Sequence, residues 1–104
     1  MKPMILYVIG PDSGPFKVGR TLKSPDARRR QLQVGCWLPL VVQDFIYMTD
    51  EGELELAEFY AHAALNKFWM SGEWFDAPVD LCSEIIRKAA RSAVGQITKQ
   101  NRKG

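Results

Sequence analysis

A phenol, two cations, an imidazole and a carboxylate stand in a fixed order along this chain. Tyr7 ends the run Ile5-Leu6-Tyr7, Lys17 opens Lys17-Val18-Gly19, and Arg28 sits in an arginine-rich segment. His62 closes Glu58-x-x-x-His62, and Glu73 lies in Gly72-Glu73-Trp74-Phe75. Hydrolysis of a phosphodiester needs an activated water, cations to offset charge on the phosphoryl oxygens, and usually a metal at the leaving oxygen. The set supplies a candidate base, two phosphate binders and one carboxylate for a divalent ion. Magnesium prefers oxygen ligands and keeps most of its waters, so a single protein carboxylate can suffice.

Each of these residues also has a plainer reading. Tyr7 can be a strand tyrosine packed on a helix, Lys17 a surface lysine, and Arg28 with Arg29 part of a solvated basic helix. Glu58 and His62, one helical turn apart, can form a surface pair. Glu73 can cap the following turn. A carboxylate set between a glycine break and two large aromatics is nevertheless drawn toward the core, where it needs a partner or a metal.

The elements that must position these groups are legible in outline. Residues 4–9 form a short apolar run, Gly10-Pro11-Asp12-Ser13-Gly14-Pro15 is dense in turn formers, and Phe16-Lys17-Val18-Gly19 returns. A turn centred on Asp12 sets Ile9 against Pro15, Tyr7 against Lys17, and Gly19 against Ile5. Alternation then puts Leu6, Val8, Phe16 and Val18 on a core face and Tyr7, Lys17 and Gly19 on the other, more open one. In that register Lys17 is the cation that lowers the Tyr7 phenol from its ordinary value near ~10. Ser24-Pro25-Asp26 starts a helix that stops at Gly35. Arg28 and Arg29 flank its buried row, and Arg30 points to solvent. A third strand is expected over about Leu40–Tyr47. A second helix is capped by Asp50 and Glu53 and striped by Leu54, Ala57, Ala61, Leu65 and Phe68. A last helix, about Pro78–Ala93, carries Leu81, Ile85 and Ala89. Trp37 and Trp69 read as packing residues, with stacking on an unpaired base as the alternative for either.

With 104 residues, the chain is expected to form one domain over residues 1–95 with a basic, flexible tail at 96–104. The apolar runs are too short to span a bilayer, and residues 1–5 lack the pattern of a signal peptide. Cys36 and Cys82 make neither a disulfide framework nor a CxxC site, so a reduced, cytoplasmic setting is expected. The net charge of +2 is unevenly spread, because all 12 acidic residues lie at or before Glu84. Arg87, Lys88, Arg91, Lys99, Arg102 and Lys103 follow with no counter-charge, and Lys17, Arg20, Lys23, Arg28, Arg29 and Arg30 surround only Asp26. Such patches can attract a polyanion or simply be solvated faces.

The ordered set from Leu6 to Phe75 resembles the GIY-YIG nuclease superfamily, nearest its compact phage-associated branch. Ile5 stands where the first signature glycine is usual, and Lys17 where most members carry a tyrosine. The resemblance implies a small α/β (α+β) domain with a three-stranded, mainly antiparallel sheet flanked by three helices. It implies a divalent-metal-dependent endonuclease acting on DNA and leaving a 3′-hydroxyl and a 5′-phosphate. Tyr7 or His62 would activate water, with Glu58 aiding His62, Arg28 and Lys17 would hold the phosphate, and Glu73 would bind Mg2+ or Mn2+. Arg20, Lys23, Arg29 and Arg30 would contact the nucleic-acid backbone. So short a chain leaves target choice to low selectivity, to a homodimer partner or to another protein. The alternatives are a non-catalytic nucleic-acid-binding module of the same fold and an interaction domain that docks a partner on its acidic Asp44–Glu58 region.

Overall fold

A computed structural model describes the backbone of residues 2–103 and the side chains of residues 2–94. The expected flexible tail at 96–104 therefore lies outside the described side chains. The chain runs β1 (Ile5–Gly10), β2 (Phe16–Thr21), α1 (Pro25–Gln33), β3 (Val41–Tyr47) and α2 (Glu51–Leu65). A 3-10 turn at Asn66–Phe68 leads into β4 (Trp69–Ser71), β5 (Trp74–Phe75) and α3 (Val79–Lys103). The class is α+β, but the sheet has five strands in the order β3-β1-β2-β5-β4, all antiparallel, and not three. The two additional strands are three and two residues long, too short to display an alternating pattern in sequence.

β1 is buried along its whole length, because the sheet is covered on both faces. Leu6, Val8, Phe16 and Val18 pack against α2 and α3 through Leu54, Ala57, Ala61, Cys82 and Ile86. Ile5, Tyr7, Ile9 and Leu40 form a second cluster with Leu32 of α1, Cys36 and Trp74. The face expected to be open is thus a smaller core, which accounts for the unbroken apolar run of β1. The two halves of the hairpin take the expected faces in a different register. Tyr7 lies opposite Gly19 and Ile9 opposite Lys17, so Tyr7 and Lys17 are not direct neighbours. The turn is one residue later than its composition implies: Gly14 N–H donates to Pro11 O at 2.8 Å, and Gly14 takes φ +76°, where glycine is favoured. A two-residue slip preserves every facing and changes every partner.

The helices begin where their caps dictate. Ser24 Oγ accepts from Ala27 N at 3.2 Å, and Asp50 Oδ1 accepts from Glu53 N at 2.9 Å; each cap stabilises its helix by about 1 kcal/mol. The stripe of α2 is as expected. That of α3 is rotated by one position, to Cys82, Ile86, Ala89, Ala90 and Ala93, with Leu81 and Ile85 at its margin. Burial pushes the Cys82 thiol up to about 11, so it stays protonated and unreactive near neutral pH. Arg87 donates to both carboxylate oxygens of Asp44 at 2.7 and 2.8 Å. This ties α3 to β3 and neutralises the first cation of the basic run. Among the described residues no helix is long and apolar enough to cross a membrane.

Candidate active site

The site forms where a short strand stops. β5 pairs with β2 only at Phe16 and Lys17, so beyond that point the outer edge of β2 needs other partners. Val18 N–H donates to the Glu73 carbonyl at 3.1 Å. The Val18 carbonyl is met by His62 Nε2 at 2.6 Å. A carbonyl only accepts, so Nε2 carries the proton and the neutral ring keeps its basic lone pair on Nδ1. His62 is also held against Phe75, with ring centroids 5.3 Å apart. One residue of β2 thereby fixes both the hairpin turn that bears Glu73 and the imidazole of α2.

Gly19 is the floor. An ideal Cβ built on it would fall 2.6 Å from Glu73 Oε1 and 2.7 Å from the Tyr7 hydroxyl. Only a residue without a side chain lets the phenol from β1 and the carboxylate from the β4–β5 turn come over the same point. Arg28 reaches in from α1 and donates from Nε to the Tyr7 hydroxyl at 3.2 Å, while its Nη1 bonds Gln31 Oε1 at 3.3 Å. A guanidinium has five donors, so capacity is left for a phosphate. Lys17 lies 3.3 Å from Glu73 Oε1, its side chain only 12% exposed against 39% for Glu73, and its ammonium is 5.9 Å from the centre of the Trp74 ring. From α2, Glu58 Oε1 accepts from Arg20 Nε at 3.2 Å, and Arg20 also pairs with Glu55 at 3.4 Å. Ligand atoms of Glu58, His62 and Glu73 all lie within 4.8 Å of one another. Arg20, Arg28, Glu58 and Glu73 line a cleft of about 280 Å³, close to the lower limit of ~300 Å³ for small-molecule pockets.

All five catalytic candidates, Tyr7, Lys17, Arg28, His62 and Glu73, are therefore brought together around β2. Their pairing differs from expectation in one respect. The cation beside Tyr7 is Arg28, and Lys17 belongs to Glu73. Burial holds the Tyr7 phenol above its ordinary value of 10.0 despite the hydrogen bond and charge of Arg28, and the carboxylates of Glu73 and Glu58 push the same way. Tyr7 is fully buried and is a neutral phenol at pH 7. Of the backbone-contact candidates, Lys23 is exposed and Arg30 has a side chain 66% exposed. Arg29 and Arg30 share Asp26 at 3.1 and 3.4 Å. Arg20 faces the cleft with its charge met by Glu55 and Glu58. The Arg20–Glu55 pair, exposed at both ends, contributes about 0–1 kcal/mol, whereas the Glu58 carboxylate is the more sheltered of the two partners.

Glu58, expected only to aid His62, lines the cleft itself, and Gly19, not expected among the site residues, leaves the space into which Glu73 and Tyr7 reach. The signal for Gly19 is the Lys-Val-Gly return itself, a glycine in a strand that otherwise needs side chains to pack. No family model, no curated protein and no solved structure matches this chain.

Proposed function

We propose that the chain is a divalent-metal-dependent endonuclease of the GIY-YIG type, hydrolysing DNA phosphodiester bonds. The observation that carries this reading is the convergence of Arg28, Glu73 and the Tyr7 hydroxyl over Gly19, with Lys17 and His62 at the rim. Glu73 is half-exposed at the cleft, and Glu58 offers a second carboxylate within reach. These hard oxygen donors fit Mg2+ or Mn2+. A bound ion would supply charge to offset the departing oxygen.

The protein groups divide the remaining work. Arg28 presents its unused donors to the phosphoryl oxygens, since a planar fork matches phosphate geometry and never loses its charge. Lys17, exchanging Glu73 for substrate, adds a second positive charge. His62 Nδ1 is the base that takes the proton of water, because Nε2 is anchored on Val18 and the Tyr7 phenol is neutral. Tyr7 orients Arg28 through its hydroxyl. The products are a 3′-hydroxyl and a 5′-phosphate.

The pH profile separates the two bases. With His62 as base, the cleavage rate shows no rise at strongly alkaline pH. A rate still climbing beyond pH 10 would move the role to Tyr7, whose raised value requires that later rise. Arg28→Lys keeps the charge and loses the fork, so single-turnover cleavage should fall about tenfold or more, the worth of one charge-assisted hydrogen bond. DNA affinity in EDTA should change less than twofold; an equal loss in both would make Arg28 a plain binding residue. The reading as a whole is tested by incubating supercoiled, linear, single-stranded and branched DNA with Mg2+, Mn2+ or EDTA. Binding without cleavage on every substrate would favour a nucleic-acid-binding module of the same fold.

A further inference from the structure

Trp37 departs from the packing role its chemistry suggests. It is 89% exposed, as is Val34 at the end of α1, and among the described residues it makes no hydrogen bond, ion pair or ring contact. The loop that carries it is nevertheless clamped. Gln33 Nε2 donates to the carbonyls of Cys36 at 3.0 Å and Leu38 at 2.8 Å, and Leu40 N donates to Gln33 Oε1 at 2.8 Å. Cys36 N closes the turn on Gln33 O at 3.0 Å. Cys36 and Leu40 are set in the smaller core on either side of Trp37. An indole held out to water on a rigid loop has already met the ordering cost of binding.

We infer that Trp37 is a stacking platform for an unpaired nucleobase, so that the DNA recognised by this chain has a single-stranded stretch beside the cleft. The inference rests on the nucleic-acid reading above but not on catalysis. Position favours a base over other occupants. α1 delivers Arg28 to the cleft and ends at Val34, six residues and about 9 Å along its axis, and Trp37 follows three residues later in the clamped loop. The helix that leads into this loop also carries Arg29 and Arg30 against the single Asp26. A second copy of the chain docked here would bring two of these basic helices together, whereas a polyanion is attracted. An indole face stacks on any base, and a duplex hides its base faces.

The test is fluorescence anisotropy in EDTA with two labelled 15-mers, one of thymidine and one abasic, so that both carry the same phosphates. Wild type should bind the thymidine strand about tenfold more tightly, as stacking of one base allows. Trp37→Ala should reduce that preference to within about twofold, leaving abasic affinity and the slope of log affinity against log salt unchanged. Trp37→Phe should keep most of it. Trp37 is so exposed that the alanine variant should fold as wild type does. Three results would overturn the inference: a wild type that does not prefer bases, a Trp37→Ala variant that keeps the preference, or an equal loss on both strands. Self-association that disappears in Trp37→Ala while the base preference persists would instead make this face a contact between copies. If neither strand binds, the nucleic-acid reading fails with it; if the preference holds and no DNA is cut, only the catalytic reading fails.

Discussion

Gly19→Ala should slow DNA cleavage by about 10²-fold, although it adds one methyl group far from any charge change. The added carbon would sit 2.6 Å from Glu73 Oε1 and 2.7 Å from the Tyr7 hydroxyl, closer than van der Waals contact permits. Glu73 is half-exposed and can swing aside. The Tyr7 ring is fully buried between β1 and α1 and cannot. The carboxylate therefore moves off its place over the floor, and the added carbon presses on a Tyr7 hydroxyl that cannot retreat. Losing a positioned transition-state donor commonly costs ~10²–10³-fold in rate. Gly19 does not have a positive φ, so the effect is steric and not a matter of backbone freedom. Overpacking of a core of this kind costs about 1–3 kcal/mol, and the unfolding temperature should fall by about 4–8 °C per kcal/mol in a domain of this size. DNA affinity in EDTA should survive. A Gly19→Ala protein that melts lower but cuts at the wild-type rate would show that the space above Gly19 is structural.

Glu73→Gln should have the largest effect of any single change, removing metal-dependent cleavage by ~10²-fold or more. The substitution deletes charge and almost no volume. It releases Lys17 from a pair at 3.3 Å whose carboxylate is 39% exposed, and such pairs are worth only about 0–1 kcal/mol. The unfolding temperature should therefore stay within a few degrees of wild type, which separates loss of chemistry from loss of fold. DNA affinity should hold or rise, since one negative charge leaves the cleft and Lys17 is freed for phosphate. Wild-type cleavage by Glu73→Gln would remove Glu73 from the metal site and leave Glu58 as its carboxylate.

What the sequence discloses here is decided by how local each signal is. Strand facing survives in sequence because alternation depends only on neighbours, so Leu6, Val8, Phe16 and Val18 are assigned to the core even with the hairpin register misread. The register depends on how the turn from Pro11 to Pro15 is spent, and composition alone does not set that. Ser24 and Asp50 announce their helices because a cap acts within three residues. The two residues of β5 announce nothing, yet their shortness leaves the β2 edge open for His62 and Glu73. The α3 stripe is misplaced by one residue because Ala89, Ala90 and Ala93 are too small to mark a face. Charge pairing is the least local signal. Arg20 finds Glu55 and Glu58 across 35 and 38 positions, and Arg87 finds Asp44 across 43, so a count of charges along the chain overstates the free positive surface. The five catalytic candidates were legible as residue types in order. Their partners were not, which is why Arg28, and not Lys17, proves to be the neighbour of Tyr7.

The most direct test of the central claim is the single-turnover rate on one end-labelled DNA as Mn2+ is titrated from zero. No cleavage is expected without metal, with a rate that rises to saturation as Mn2+ is added and fragments ending in a 3′-hydroxyl and a 5′-phosphate. Intact DNA at every metal concentration, or cleavage that persists unchanged in EDTA, would contradict it.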